Sequence, residues 1–140
     1  MGKVVVKAKL WNFGDELKYR EGLISKDQIR TVIVEDALVD TGATLVSLPE
    51  DIVEKLGLMI VEEREVTYAN NGKEKRKIAT GLMIEIMGRT SLTRCIVNNK
   101  GTKVLIGQIP LEEMDLYVFP AEGKVAGRPD HPDSPLIEMY

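Results

Sequence analysis

Hydrophobic and polar positions alternate with a period of two along much of the chain, the spacing of half-buried strands rather than helices. Val6, Ala8 and Leu10 alternate with Lys7 and Lys9, and Leu82, Ile84 and Ile86 alternate with Met83, Glu85 and Met87. Thr31-Val32-Ile33-Val34 is β-branched throughout, which favours a strand. Glu35-Asp36 then predicts a bulge or tight turn before Ala37-Leu38-Val39. Asn70-Asn71-Gly72-Lys73, set between Val66-Thr67-Tyr68-Ala69 and Ile78-Ala79-Thr80, is a strong hairpin signal. A turn at Gly88-Arg89 lets residues 92–97 pair back, ending at Asn98-Asn99-Lys100-Gly101. Val104-Leu105-Ile106-Gly107 reads as a short apolar strand, and Tyr117-Val118-Phe119 and Leu136-Ile137-Glu138-Met139 as the last strands.

Helical signals are few. Pro49 fits a first helical position, Glu50 and Asp51 suit the first turn, and Gly57 is a stop, with Ile52, Val53 and Leu56 on one face. A second short helix is expected from Pro110. Residues 11–26 are irregular, with Gly14, Asp15 and Gly22 as turn markers, and predict a surface loop or loose hairpin. Three prolines make residues 128–135 a loop. The expected class is all-β with one or two short helices. One domain spans 1–140, with an N-terminal strand and loop over 1–30 and a C-terminal extension over 120–140.

Composition narrows the chemistry. A chain of 140 residues suits one domain with a sizeable core, and no apolar run is long enough to cross a membrane. Lys3 and Lys7 interrupt the apolar start, which argues against a secretory signal and for a cytoplasmic protein. The single cysteine, Cys95, excludes an internal disulfide and a cysteine-only metal site. It reads as a small core residue, since no histidine is near it in sequence. The single histidine, His131, excludes a multi-histidine metal site and most Ser-His-Asp arrangements. Between two prolines, it reads as a surface residue. A net charge of -3 argues against nucleic acid as the main partner. Any chemistry must therefore use carboxylates or hydroxyls.

One carboxylate stands out. Asp40 ends the apolar run Ala37-Leu38-Val39 and is followed by Thr41-Gly42-Ala43-Thr44. An ionised aspartate there is costly unless stabilised. The Thr-Gly turn offers donors, and Gly42 lets the main chain pass close to the carboxylate. Two readings follow: Asp40 merely bonds its own turn, or it is a partly desolvated catalytic acid held by the fold.

In order along the chain, Leu38-Val39-Asp40-Thr41-Gly42-Ala43, the hairpin at Asn70-Asn71-Gly72, Leu82-Met83-Ile84-Glu85-Ile86-Met87-Gly88, Val104-Leu105-Ile106-Gly107 and the helix from Pro110 form a set. From about Val34 to about Val118, this set resembles the retropepsin-like aspartic proteases, and the chain resembles a homologue of the bacterial and archaeal type. Three features depart from retroviral members: Thr44 in place of an acid that binds substrate backbone, Gln108 after the Ile-Gly pair, and the extension past residue 119.

The resemblance implies a closed-barrel-like acid protease fold, with the Val104–Gly107 element packed behind the catalytic turn. It also implies an aspartic endopeptidase in which two carboxylates share a proton, one activating water and the other polarising the scissile carbonyl. Asp15, Asp36 and Asp115 lack the Thr-Gly that follows Asp40. The second carboxylate is therefore expected from Asp40 of another copy, in a two-fold homodimer. Thr41 and Gly42 would brace the loops. Gly42, Ala43, Thr44 and Ile106, with Ala69, Asn70, Asn71 and Gly72 of a flap over residues 68–77, would bind an extended peptide. No cofactor, metal or membrane is implied. The basic run over 73–77 reads as a solvated hairpin arm, Met83 and Met87 as barrel packing, and Ser47 and Thr44 as structural. The rival reading is a catalytically silent, dimeric peptide-binding domain of the same fold.

Overall fold

The computed structural model describes residues 3–130, 132–133 and 135–137. Seven strands form one sheet: β1 (Val5–Asn12), β2 (Thr31–Val39), β3 (Val46–Pro49), β4 (Met59–Thr67), β5 (Lys73–Ile86), β6 (Arg89–Asn98) and β7 (Leu105–Ile106). Their order is β1-β2-β7-β3-β6-β5-β4, and β1 also pairs with β5. The sheet thus curls into a ring with β4 attached outside it, a looser closure than a strict barrel. A separate hairpin joins β8 (Tyr117–Phe119) to β9 (Lys124–Ala126). The mostly-β class and the retropepsin-like fold are as expected.

Alternation becomes burial as a two-residue period requires. Ala8, Leu10, Leu82, Ile84 and Ile86 are all buried, and with Leu48, Leu56, Ile106 and Leu111 they build one core. The interruption predicted at Glu35-Asp36 is a bulge, because two steps along β1, from Val6 to Ala8, match three along β2, from Ala37 to Val34. The turn between β5 and β6 lies at Met87 and Gly88, both at positive φ, as a two-residue hairpin needs.

Among the described residues there are three α-helices where one or two were expected: α1 (Phe13–Arg20), α2 (Glu50–Leu56) and α3 (Gln108–Glu113). The extra one, α1, lies in the segment read as a loop. Its signal is in the cap: the Asn12 side chain accepts from the Asp15 N–H at 2.9 Å, acids fill the first turn and bases the last. Helix α2 has Pro49 as its cap rather than its first residue, and ends at Gly57 in the left-handed region.

Strands β3 and β9 and the first half of β4 carry no sequence signal used above. Leu136 and Ile137 are exposed and not in a strand, and Glu138 and Met139 lie outside the described residues. Of the described residues beyond β9, Arg128, Pro132 and Leu136 are hydrogen-bonded back to the body of the protein. Buried Arg89 donates to the carbonyls of Met114, Asp115 and Pro132, while Asp115 accepts from Arg128 and the Leu136 N–H. Among the described residues no helix is long and apolar enough to cross a membrane.

Candidate active site

Asp40 follows the last residue of β2, and its main chain is fixed before its side chain is considered. The Asp40 N–H donates to the Ile106 carbonyl at 2.9 Å, and the Asp40 carbonyl accepts from the Ala43 N–H at 3.0 Å. Strand β7 thereby sets where the loop begins. Helix α3 sets where it ends, since the N–H groups of Gln108 and Ile109 donate to the carbonyls of Ala43 and Thr44 at 2.8 and 3.0 Å. The Val104–Gly107 element sits directly behind the Asp40 turn.

The Gly42 N–H donates to Asp40 Oδ1 at 3.0 Å. A Cβ at Gly42 would lie 3.3 Å from that oxygen, so the small residue eases the approach. Asp40, Thr41, Gly42 and Thr44 are exposed and Ala43 is half-buried. The carboxylate was expected to be partly desolvated, but within one chain it is open to solvent. Among the described residues the hairpin arm faces it across an open cleft without closing on it, so further desolvation would come from a second chain or from substrate.

Asp40 shares a cleft of about 390 Å³ with Gly42, Ala43, Thr44 and Leu45 on one side and Arg64, Glu65, Val66, Thr67 and Tyr68 of the β4–β5 hairpin on the other. Ser47, Ile78, Ile96, Asn98 and Leu105 complete the wall. The hairpin therefore does face the Asp-Thr-Gly loop, but along its first arm. Ala69, Asn70 and Asn71, at the exposed tip, and the neighbouring Gly72 do not line this cleft. Ile106 does not either: its side chain is 0% exposed and belongs to the core. Leu105, its neighbour, points the other way and lines the cleft, because successive strand residues face opposite sides.

Tyr68, the first residue of the expected flap, lines the cleft with its side chain. Its hydroxyl accepts from Arg76 Nε at 3.1 Å, and Arg76 Nη1 donates to Asn99 Oδ1 at 3.1 Å. The basic run is thus solvated except at Arg76, whose guanidinium the Tyr68 bond raises above its ordinary pKa against the opposing effect of burial. Ser47 is buried and its hydroxyl accepts from Asn98 at 3.5 Å, a structural contact.

A family profile described as "gag-polyprotein putative aspartyl protease" matches residues 29–113. That stretch covers more than half the chain and holds the Asp40 loop, the hairpin, β7 and the whole of α3. The chain belongs to this family. Aspartic protease chemistry is therefore the general activity its family indicates. No curated protein matches the chain.

The remaining expectations have plain positions. Cys95 is fully buried, and burial pushes its thiol up to about 12, as suits a core residue. Met87, expected in the packing, is 62% exposed because it occupies the β5–β6 turn. His131 lies outside the described residues.

Proposed function

We propose that the protein is an aspartic endopeptidase, a homologue of the bacterial and archaeal type, in which two copies each contribute Asp40. The observation that carries this reading is the placement of Asp40. It is an exposed carboxylate with both flanks of its loop pinned to β7 and α3, at the floor of a cleft roofed by a hairpin arm. A group fixed in that way can be brought repeatedly to the same geometry against a partner, which is what positioned acid–base chemistry requires.

Two carboxylates about 3 Å apart cannot both ionise, so they hold one proton between them and titrate as a unit. That behaviour is known from the family's dyads. The ionised member takes a proton from water as the water attacks the scissile carbonyl, and the protonated member hydrogen-bonds the carbonyl oxygen. Thr41 and Gly42 brace the two loops across the axis. The peptide lies extended between the loop and the hairpin, whose β4 strand, at the end of the sheet order, pairs only with β5 among the described residues, an edge suited to an added strand. Gly42, Ala43 and Thr44 contact it from below, and residues 69–72 reach it when the hairpin closes. The reaction needs no metal or cofactor, and its setting is cytoplasmic.

The test is to incubate wild type and Asp40→Asn with a diverse peptide library between about pH 3 and pH 8, with sedimentation of the same samples. Cleavage by a wild-type dimer and none by an Asp40→Asn dimer is the expected result. Cleavage by Asp40→Asn would sink the assignment. A stable wild-type dimer that binds peptides and cuts none would favour the silent binding domain.

A further inference from the structure

The larger concavity lies not over Asp40 but beyond the same loop. Leu45 lines the Asp40 cleft and also a groove of about 700 Å³ bounded by α1, β4, β5, β6 and α3. Three large apolar side chains that face solvent line this groove: Met59 at 69% exposure, Leu92 at 47% and Ile109 at 47%. Such a cluster of exposed apolar side chains is characteristic of a contact surface.

The charges of the groove run against those of the chain. The protein carries a net charge of -3, yet the groove is lined by the cations Lys18, Arg30 and Arg94 and by one acid, Asp15. Asp15 is already neutralised, because Arg30 donates to both its carboxylate oxygens at 2.8 and 2.9 Å. Among the described residues Arg94 pairs with Glu62 at a long 3.6 Å, and Glu62 lies closer to Arg64, at 2.6 Å. The unbalanced charge facing the groove is therefore positive.

The backbone there is also interrupted. Three steps along β5, from Ala79 to Leu82, match two along β6, from Cys95 to Thr93, so Thr80 and Gly81 form a bulge that breaks the ladder. Both line the groove, and beyond Gly81 and its two chain neighbours no atom lies within 4 Å of where a Gly81 Cβ would be.

We propose that this groove is a second docking site for the substrate protein, taking an extended apolar segment that carries acidic residues and flanks the segment held over Asp40. The substrate's identity rests on the proteolytic reading above; the groove's chemistry does not. A strand leaving the cleft across Leu45 advances about 3.3 Å per residue and enters the groove within a few residues. There its apolar side chains meet Met59, Leu92 and Ile109, and its carboxylates meet Lys18 and Arg94.

The test uses the Asp40→Asn protein and two fluorescein-labelled decapeptides, one alternating leucine with glutamate and one alternating leucine with lysine. Polarisation is expected to show the acidic peptide binding about tenfold more tightly, weakening as salt rises. Lys18→Glu combined with Arg94→Glu should reverse that preference. Leu92→Glu, at an exposed position, should weaken the acidic peptide in a fold retained by circular dichroism. Methyl resonances of Met59 should move on binding. Equal affinity for the two peptides, no binding of either, unchanged affinity in these variants, or shifts confined to Val66 and Ile78 would each overturn the proposal. So would occupation of the groove by a second copy of the chain. If wild type cuts nothing while the acidic peptide still binds here, the proteolytic reading falls and the groove stands.

Discussion

Gly107 passes so close beneath the Asp40 loop that a Cβ there would lie 2.3 Å from the Leu45 carbonyl oxygen and 2.7 Å from that of Ala43. Both neighbours are backbone, so no side chain can swing aside. Gly107→Ala must push the loop away from β7 or distort α3, which donates to the same loop. We expect a loss of about 1–3 kcal/mol of stability, the usual size for overpacking, and a much larger fractional loss of peptide cleavage. A melting curve and a turnover assay on one preparation check both. Unchanged values would mean the loop is not held by this contact.

Asp15 and Arg30 give a pH dependence unrelated to catalysis. Asp15 is 4% exposed and accepts from the Arg30 side chain and from the Arg30 N–H at 3.0 Å. The Arg30 hydrogen bond holds the Asp15 carboxyl below its usual range against the opposing effect of desolvation. A depressed carboxylate pKa favours the folded state while Asp15 is ionised in the unfolded chain, above about pH 4. The advantage disappears as pH falls through the lower, folded value. Wild type should therefore exceed Asp15→Asn in stability near neutrality, and the gap should narrow below about pH 4. Denaturant titrations at several pH values measure it, and a gap that widened on acidification would contradict the assignment.

Arg76 joins the hairpin to the body of the molecule. It donates to Tyr68 across the hairpin and to Asn99 beyond the end of β6. Arg76→Met should free the Tyr68 ring in the cleft and speed amide exchange over residues 63–77, leaving residues 82–97 unchanged. In an active enzyme KM should rise more than kcat falls, because the hairpin binds and does not react. Arg76→Lys should not rescue it, since one ammonium cannot reproduce the forked geometry. Exchange rates in the hairpin identical to wild type would remove Arg76 from this role.

Legibility followed contrast between neighbouring residues. Ala8, Leu10, Leu82, Ile84 and Ile86 alternate with polar or flexible partners, so their faces were readable, and so was the interruption at Glu35-Asp36. Leu105 and Ile106 are both apolar, and nothing in that pair says which one faces the core; the register with Leu38 and Val39 decides it. Helix α1 has few apolar residues, and its start depends on the Asn12 cap, which also donates to the Leu56 carbonyl at 2.8 Å. That contact is 44 residues away in sequence and invisible locally. The loop Asp40-Thr41-Gly42 stands out in the sequence, but its exposure does not, because exposure depends on what packs over it rather than on the residues themselves. Tyr68 falls within the expected flap, but its bond to Arg76 on the opposite arm is not legible in sequence.

Cys95 provides a last check on the ring of strands itself. It lies on β6, pairs with Ala79 of β5 and Val46 of β3, and is 0% exposed. Burial stabilises the neutral thiol and pushes its pKa to about 12, and alkylation requires the thiolate. The native protein should therefore resist iodoacetamide at about pH 8, and labelling should follow only global opening, since both neighbouring strands must separate from β6 to admit the reagent. The rate should rise along the same denaturant curve as the loss of circular dichroism. Rapid stoichiometric labelling of the native protein would show that the β3–β6–β5 part of the ring opens independently of the rest.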